Sequence, residues 1–182
     1  QARKESIGLR CSTAADLVND SEEQWLVWCD LNDEISLLHS MIDKSVEVKG
    51  SDKPEHKKDS MLSFSDGNIK ALVTKPKIAG FGMNWQNCHN MIFVGLSDSY
   101  EAYYQAVRRC WRFGQGKPVN VYIIISAKEG CVKDNIEQKQ KKSRMIELTK
   151  EITKKELRKT CRISTPYDAE KEMQLPKWEE FN

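Results

Sequence analysis

No apolar run in the chain approaches the length of a membrane span, so a membrane is not an expected partner. The six cysteines form no CxxC pair and follow no regular spacing. Cys88-His89 is the sole Cys/His neighbour pair, and it has no companion at ligand spacing. We therefore expect no metal site, and read the cysteines as buried, reduced thiols of a cytosolic protein. A large charge of one sign is also missing: the net charge is only +2, so any basic surface must be local. Most telling is the lack of any G-x-x-x-x-G-K-[ST]. Gly116-Lys117 comes nearest, but Pro118 follows it and no glycine stands at the required offset. The chain cannot cradle a nucleoside triphosphate by the usual loop.

What is present fits one core with an appendage: 182 residues, 39% hydrophobic and 31% charged. There is no internal repeat and no low-complexity stretch. Residues 3–19 carry a helical pattern that would pack across the lobe or lead in from a preceding domain. Trp25 to Cys29 reads as the first core strand, followed by a helix capped by Asn32 or Asp33 and running to Met41. Val46 to Val48 is a short second strand. Pro54 starts a helix to Ser65, and Ile69 to Thr74 is a third strand after the turn at Asp66-Gly67-Asn68. A glycine-punctuated loop, Gly80 to Gln86, leads to the buried strand Met91 to Val94. Val119 to Ile125 is the most strand-like run and is expected in the sheet interior. Alternation of this kind argues for a parallel sheet with helices on both faces.

Between the last two strands lies SYEAYYQAVRRCWRFGQ, which we expect to be a helix that Gly114 and Pro118 stop. On a helical wheel Gln105, Arg109 and Arg112 share one face, with Arg108 beside it. Tyr100, Tyr104, Val107 and Trp111 fall opposite, as an anchoring stripe. Arginines converging on one edge repel each other unless an anion meets them, and the guanidinium fork suits a phosphate. Asp33-Glu34 follows no strand of small apolar residues, and reads as a helix cap, not a magnesium site. Trp85 could stack on a base, but a core or interface aromatic is the stronger reading.

The pairing of GFGMNWQ with QAVRRCWRFGQ resembles motifs V and VI of superfamily II helicases, most of all the Snf-type branch. With WLVWCDLNDE upstream, the wording resembles helicases encoded by phages and prophages. The resemblance covers about Trp25 to Ile136. It implies a RecA-like C-terminal helicase lobe. The expected division is a lead-in helix at 1–20, the lobe at 21–130, a charged helical extension at 131–160 and a loosely held tail at 161–182. It also implies that ATP and Mg²⁺ are held mainly by an N-terminal RecA-like lobe that these residues do not include. Arg109 and Arg112 are then the arginine-finger candidates, with Gln105, Arg108, Gly82 and Asn84 on the nucleotide side. One departure stands: the family's glycine before the first arginine is Arg108 here. Arg108 and Arg109 thus compete as the nearer phosphate ligand, and the shared face favours Arg109. Lys77 matches the family's basic residue ahead of the glycines; Thr74, Lys75, Lys77 and Gln86 are candidate contacts to a DNA backbone. A cytoplasmic phage or prophage protein is implied. The start at Gln1 suggests a fragment, which alone should not turn over ATP. The alternative is a non-catalytic nucleic-acid-binding module derived from such a lobe.

Overall fold

A computed structural model describes residues 6–79, 83–97, 99–126 and 130–160. The chain divides into two units, residues 1–140 and 141–182. Among its described residues the first unit is built on five strands, all parallel, in the order β2-β3-β1-β4-β5. These are β1 (Trp25–Cys29), β2 (Ser45–Glu47), β3 (Ala71–Thr74), β4 (Asn90–Val94) and β5 (Asn120–Ile124). The helices are α1 (Ile7–Asn19), α2 (Asn32–Met41), α3 (Pro54–Ser65), α4 (Tyr100–Val107) and α5 (Gly130–Thr160).

Strand β1 lies at the centre because every residue of WLVWC is apolar and both its edges are paired. Its alternate side chains feed two cores, one on each face of the sheet. Trp25, Val27 and Cys29 face α1 and α2, where Cys11, Ala14, Val18, Ile35 and Leu38 are buried. Leu26 and Trp28 face the other way, onto Met61 and Phe64 of α3, Ala106 of α4 and the loop residues Trp85 and Cys88. The helix at the start of the chain is therefore part of the lobe's packing. Strands β1 and β4, side by side, send their following helices to opposite faces.

A buried ion pair fixes the first of those crossings. Glu34, three residues into α2, accepts the backbone N–H groups of Asp30 (3.0 Å) and Leu31 (2.9 Å) through Oε2. Its Oε1 meets Arg10 of α1 at 2.8 Å, both side chains being almost wholly buried. Glu34 thus closes the amino end of α2, while Asn32 and Asp33 lie exposed within it. The cap expected from Asn32 or Asp33 is supplied by Glu34.

Two expectations are corrected by the topology. Among the described residues strand β5 pairs only with β4 and forms an edge, leaving Tyr122 and Ile123 partly exposed, so it is not interior. And α4 is a helix of eight residues that stops at Val107, before any of the arginines. Within the second unit, the helical residues as far as Thr160 expose Met145, Ile146 and Leu148.

Candidate functional site

Ser99 caps α4 by accepting the Ala102 N–H (3.2 Å), and the helix runs back from the carboxyl end of β4 towards its amino end. It is anchored by Ala106 and Cys110, with Tyr103 and Val107 packed against the same core. Tyr100 and Tyr104 instead pack on each other at the rim, and Trp111 is half exposed. Beyond Val107 the chain tightens: Arg109 N–H bonds Ala106 O and Cys110 N–H bonds Val107 O, both three residues back. Arg112 N–H then bonds Cys110 O, and Gln115 N–H bonds Arg112 O (3.1 Å). Gly114, at φ +92°, turns the chain at that point.

The expected single face of a continuous helix is thus replaced by a compact arginine turn. Arg108 lies over the Trp111 ring, 5.4 Å from its centre. Arg109 is partly buried; burial, and then the charge of Arg112 nearby, hold its pKa below the ordinary value. Arg112 and Gln105 are exposed, and Phe113 wholly so.

The loop that precedes β4 is bound directly to this turn. Trp85 N–H donates to Arg109 O at 2.9 Å. The Trp85 ring is fully buried between Trp28 and Phe64, so it is a core aromatic and offers no stacking face to a base. Gln86 Nε2 donates to Phe113 O. Gln115 Nε2 reaches three carbonyls, of Gln86 (3.0 Å), Cys88 (3.2 Å) and Cys110 (3.3 Å). Next along, Asn87 Nδ2 holds Phe64 O (2.7 Å) and Gln24 Oε1 (2.6 Å), pinning the loop to the end of α3. The thiols of Cys88 and Cys110 meet below; that contact and burial push the Cys110 thiol far above its usual range.

The remaining candidates separate. Lys75 and Lys77 follow β3 at the carboxyl end of the sheet, Lys75 half buried in a turn that bonds Ile78 N–H to its carbonyl, Lys77 exposed. Lys75 is near enough to Cys29, the last residue of β1, for its charge to act on that thiol. Thr74 is corrected: its side chain is fully buried and donates to Val48 O at 2.9 Å, so it presents nothing to a ligand. Gln86 is likewise committed to the arginine turn. Asn84 is exposed, and Gly82 lies outside the described residues. Among the described residues no three His, Cys, Asp or Glu side chains gather where a metal ion could sit. No described helix is long and apolar enough to cross a membrane.

Residues 10–114, more than half of the chain, match the helicase conserved C-terminal domain. The chain belongs to that family. The matched stretch takes in the whole sheet except β5, and both the loop and the arginine turn. Among curated proteins this helicase domain is 29% identical over 124 residues to the TATA-binding protein-associated factor mot1 of Schizosaccharomyces pombe, covering 64% of this chain and 6% of that protein. It is 32% identical over 83 residues to the bifunctional helicase and thymine dioxygenase JBP2 of Leishmania braziliensis, covering 45% of this chain and 8% of that one. The chain thus spans only a small part of those relatives. Among solved structures it resembles the C-terminal part of the Fun30 ATPase domain (TM-score 0.62, 22% identity, 70% of this chain and 45% of that one). It also resembles the C-terminal domain of the DEAD-box protein Dbp5 (TM-score 0.60, 14% identity, 71% and 77%). The fold is that of a RecA-like helicase C-terminal lobe.

The loop and the arginines are legible in the residue order, whereas the roles of Gln115 and Asn87 are not. Gln115 stands in the quoted motif; its tie to three carbonyls has no signature in the residue order.

Proposed function

We propose that the chain is the arginine-bearing lobe of an ATP-dependent DNA helicase or translocase of the Snf-type branch, from a phage or prophage and working in the bacterial cytoplasm. Its partner is an N-terminal RecA-like lobe that carries the phosphate loop and the magnesium-binding acid. The observation that carries this reading is the bond from Trp85 N–H to Arg109 O, which seats the arginine turn on the family's glycine-bearing loop. ATP bound between the lobes supplies the phosphoryl group whose transfer drives the motor. Arg109 and Arg112 are directed to the charge that develops on that group, Arg109 from a partly desolvated position where a guanidinium acts more strongly than in water. Arg108 and Gln105 accompany them, with Gly82 and Asn84 at the lobe interface. Lys75 and Lys77, at the other end of the sheet, hold a DNA backbone without reading its sequence.

The test is made in the intact motor. Arg109→Ala and Arg112→Ala are each expected to lower ATP turnover by about 10³-fold or more while DNA affinity stays within about twofold. Equal loss of turnover and DNA binding in Arg112→Ala would move that residue to the DNA side. DNA affinity that persists with no working first lobe in the parent protein would favour a binding module instead.

A further inference from the structure

The arginine turn is tied back to α4 by Arg109 N–H to Ala106 O and by the Cys110 and Trp111 N–H groups to Val107 O, but none of these bonds fixes its place on the loop. Side chains do that. The Gln115 amide has two N–H bonds and faces three carbonyls, from Gln86, Cys88 and Cys110 at 3.0, 3.2 and 3.3 Å. Two of these lie in the loop and one lies in the turn. Its orientation is fixed, because Oε1 accepts the Lys117 N–H at 3.1 Å and the amide cannot be reversed without losing every one of these bonds. Gln86 crosses in the opposite sense, from the loop to Phe113 O. A methyl group on Gly114 would stand 3.1 Å from Gln86 Nε2, so the turn is shaped to let that side chain pass. The backbone bond from Trp85 to Arg109 completes the set.

We propose that Gln115 and Gln86 are positioning residues, a two-way clasp that holds the Arg109–Arg112 turn at a fixed place on the loop before β4. The proposal rests on the assignment of Arg109 and Arg112 as fingers. The clasp touches no phosphate. It acts through the arginines by setting where their backbone stands, and a displacement of about 1 Å at such a group can cost on the order of 10²-fold in rate. Fixing the turn to the loop also makes any loop displacement a displacement of the arginines.

The test compares Gln115→Ala, Gln115→Glu and Gln86→Ala with Arg109→Ala in the intact motor, measuring thermal midpoint, ATP kcat and KM, and DNA affinity. Gln115→Ala is expected to lower kcat by about 10- to 100-fold, with KM and DNA affinity within about twofold. Gln115→Glu, which keeps the acceptor but turns a carboxylate towards three carbonyls, is expected to be at least as impaired. A folded Gln115→Ala protein with wild-type kcat overturns the clasp if Arg109→Ala is inactive. Full turnover in Arg109→Ala overturns the finger assignment, and the clasp with it. If Gln115→Ala does not fold, Gln86→Ala decides: a reduced kcat at unchanged KM supports the clasp, and an unchanged kcat overturns it.

Discussion

Cys11, on α1, shows how burial governs single groups in this lobe. It is packed beside Glu34, and desolvation first, then that carboxylate, raise its pKa from 9.0 to about 11. The folded state therefore keeps a proton that the unfolded chain releases earlier. The resulting stabilisation is fully present below pH 9 and is lost as pH rises through 11. Urea midpoints at pH 8 and pH 10.5 should show a decline, and Cys11→Ala should show a smaller one. A variant whose decline matches the wild type would exclude this cysteine as the source. Cys29 and Cys110 are shifted in the same direction, chiefly by burial for the first and by the Cys88 thiol for the second. None of the three is poised as a nucleophile. Thr74 carries the same lesson. Its place beside Lys75 matched a backbone-contacting pattern, but a strand alternates its faces, and this hydroxyl points into the lobe at Val48 O.

At the scale of elements, the join between β4 and α4 is the tightest. Gly95 has φ +80°, and a methyl group there would stand 2.6 Å from Arg10 Nη1. That guanidinium cannot move aside without giving up Glu34. Gly95→Ala should therefore cost about 1–3 kcal/mol, measured by chemical denaturation of the isolated chain. The strands were largely legible, because Trp25–Cys29 and Met91–Val94 are unbroken apolar runs of strand length. The end of α4 was not. The residues QAVRRCWR contain no breaker, and what stops the helix is tertiary: Trp85 at the Arg109 carbonyl, and Gln115 at that of Cys110. Nor could VNVYIII reveal its place at an edge, since that depends on whether another strand adds beyond it. The pairing of loop and arginines was legible in residue order; their separation from Lys75 and Lys77 needed the sheet.

For the whole molecule, the proposed function makes this lobe half of a catalytic device. The isolated chain should show no ATP turnover above background, with or without DNA, because it contains no phosphate loop. DNA-stimulated turnover by the purified chain that vanishes in Arg109→Ala would overturn this. The central position of β1 has a further consequence, for synthesis. Trp25–Cys29 leaves the ribosome before the other strands of its sheet, yet the strands that pair with it begin only at Ala71 and Asn90. Until then its apolar side chains have no sheet to join, and the chain must carry them unpaired through most of the lobe's translation. A nascent lobe halted before Ala71 would have an unpaired centre, and one halted before Asn90 a centre paired on one edge alone, so holdase chaperones would have their longest engagement between Trp25 and Val94.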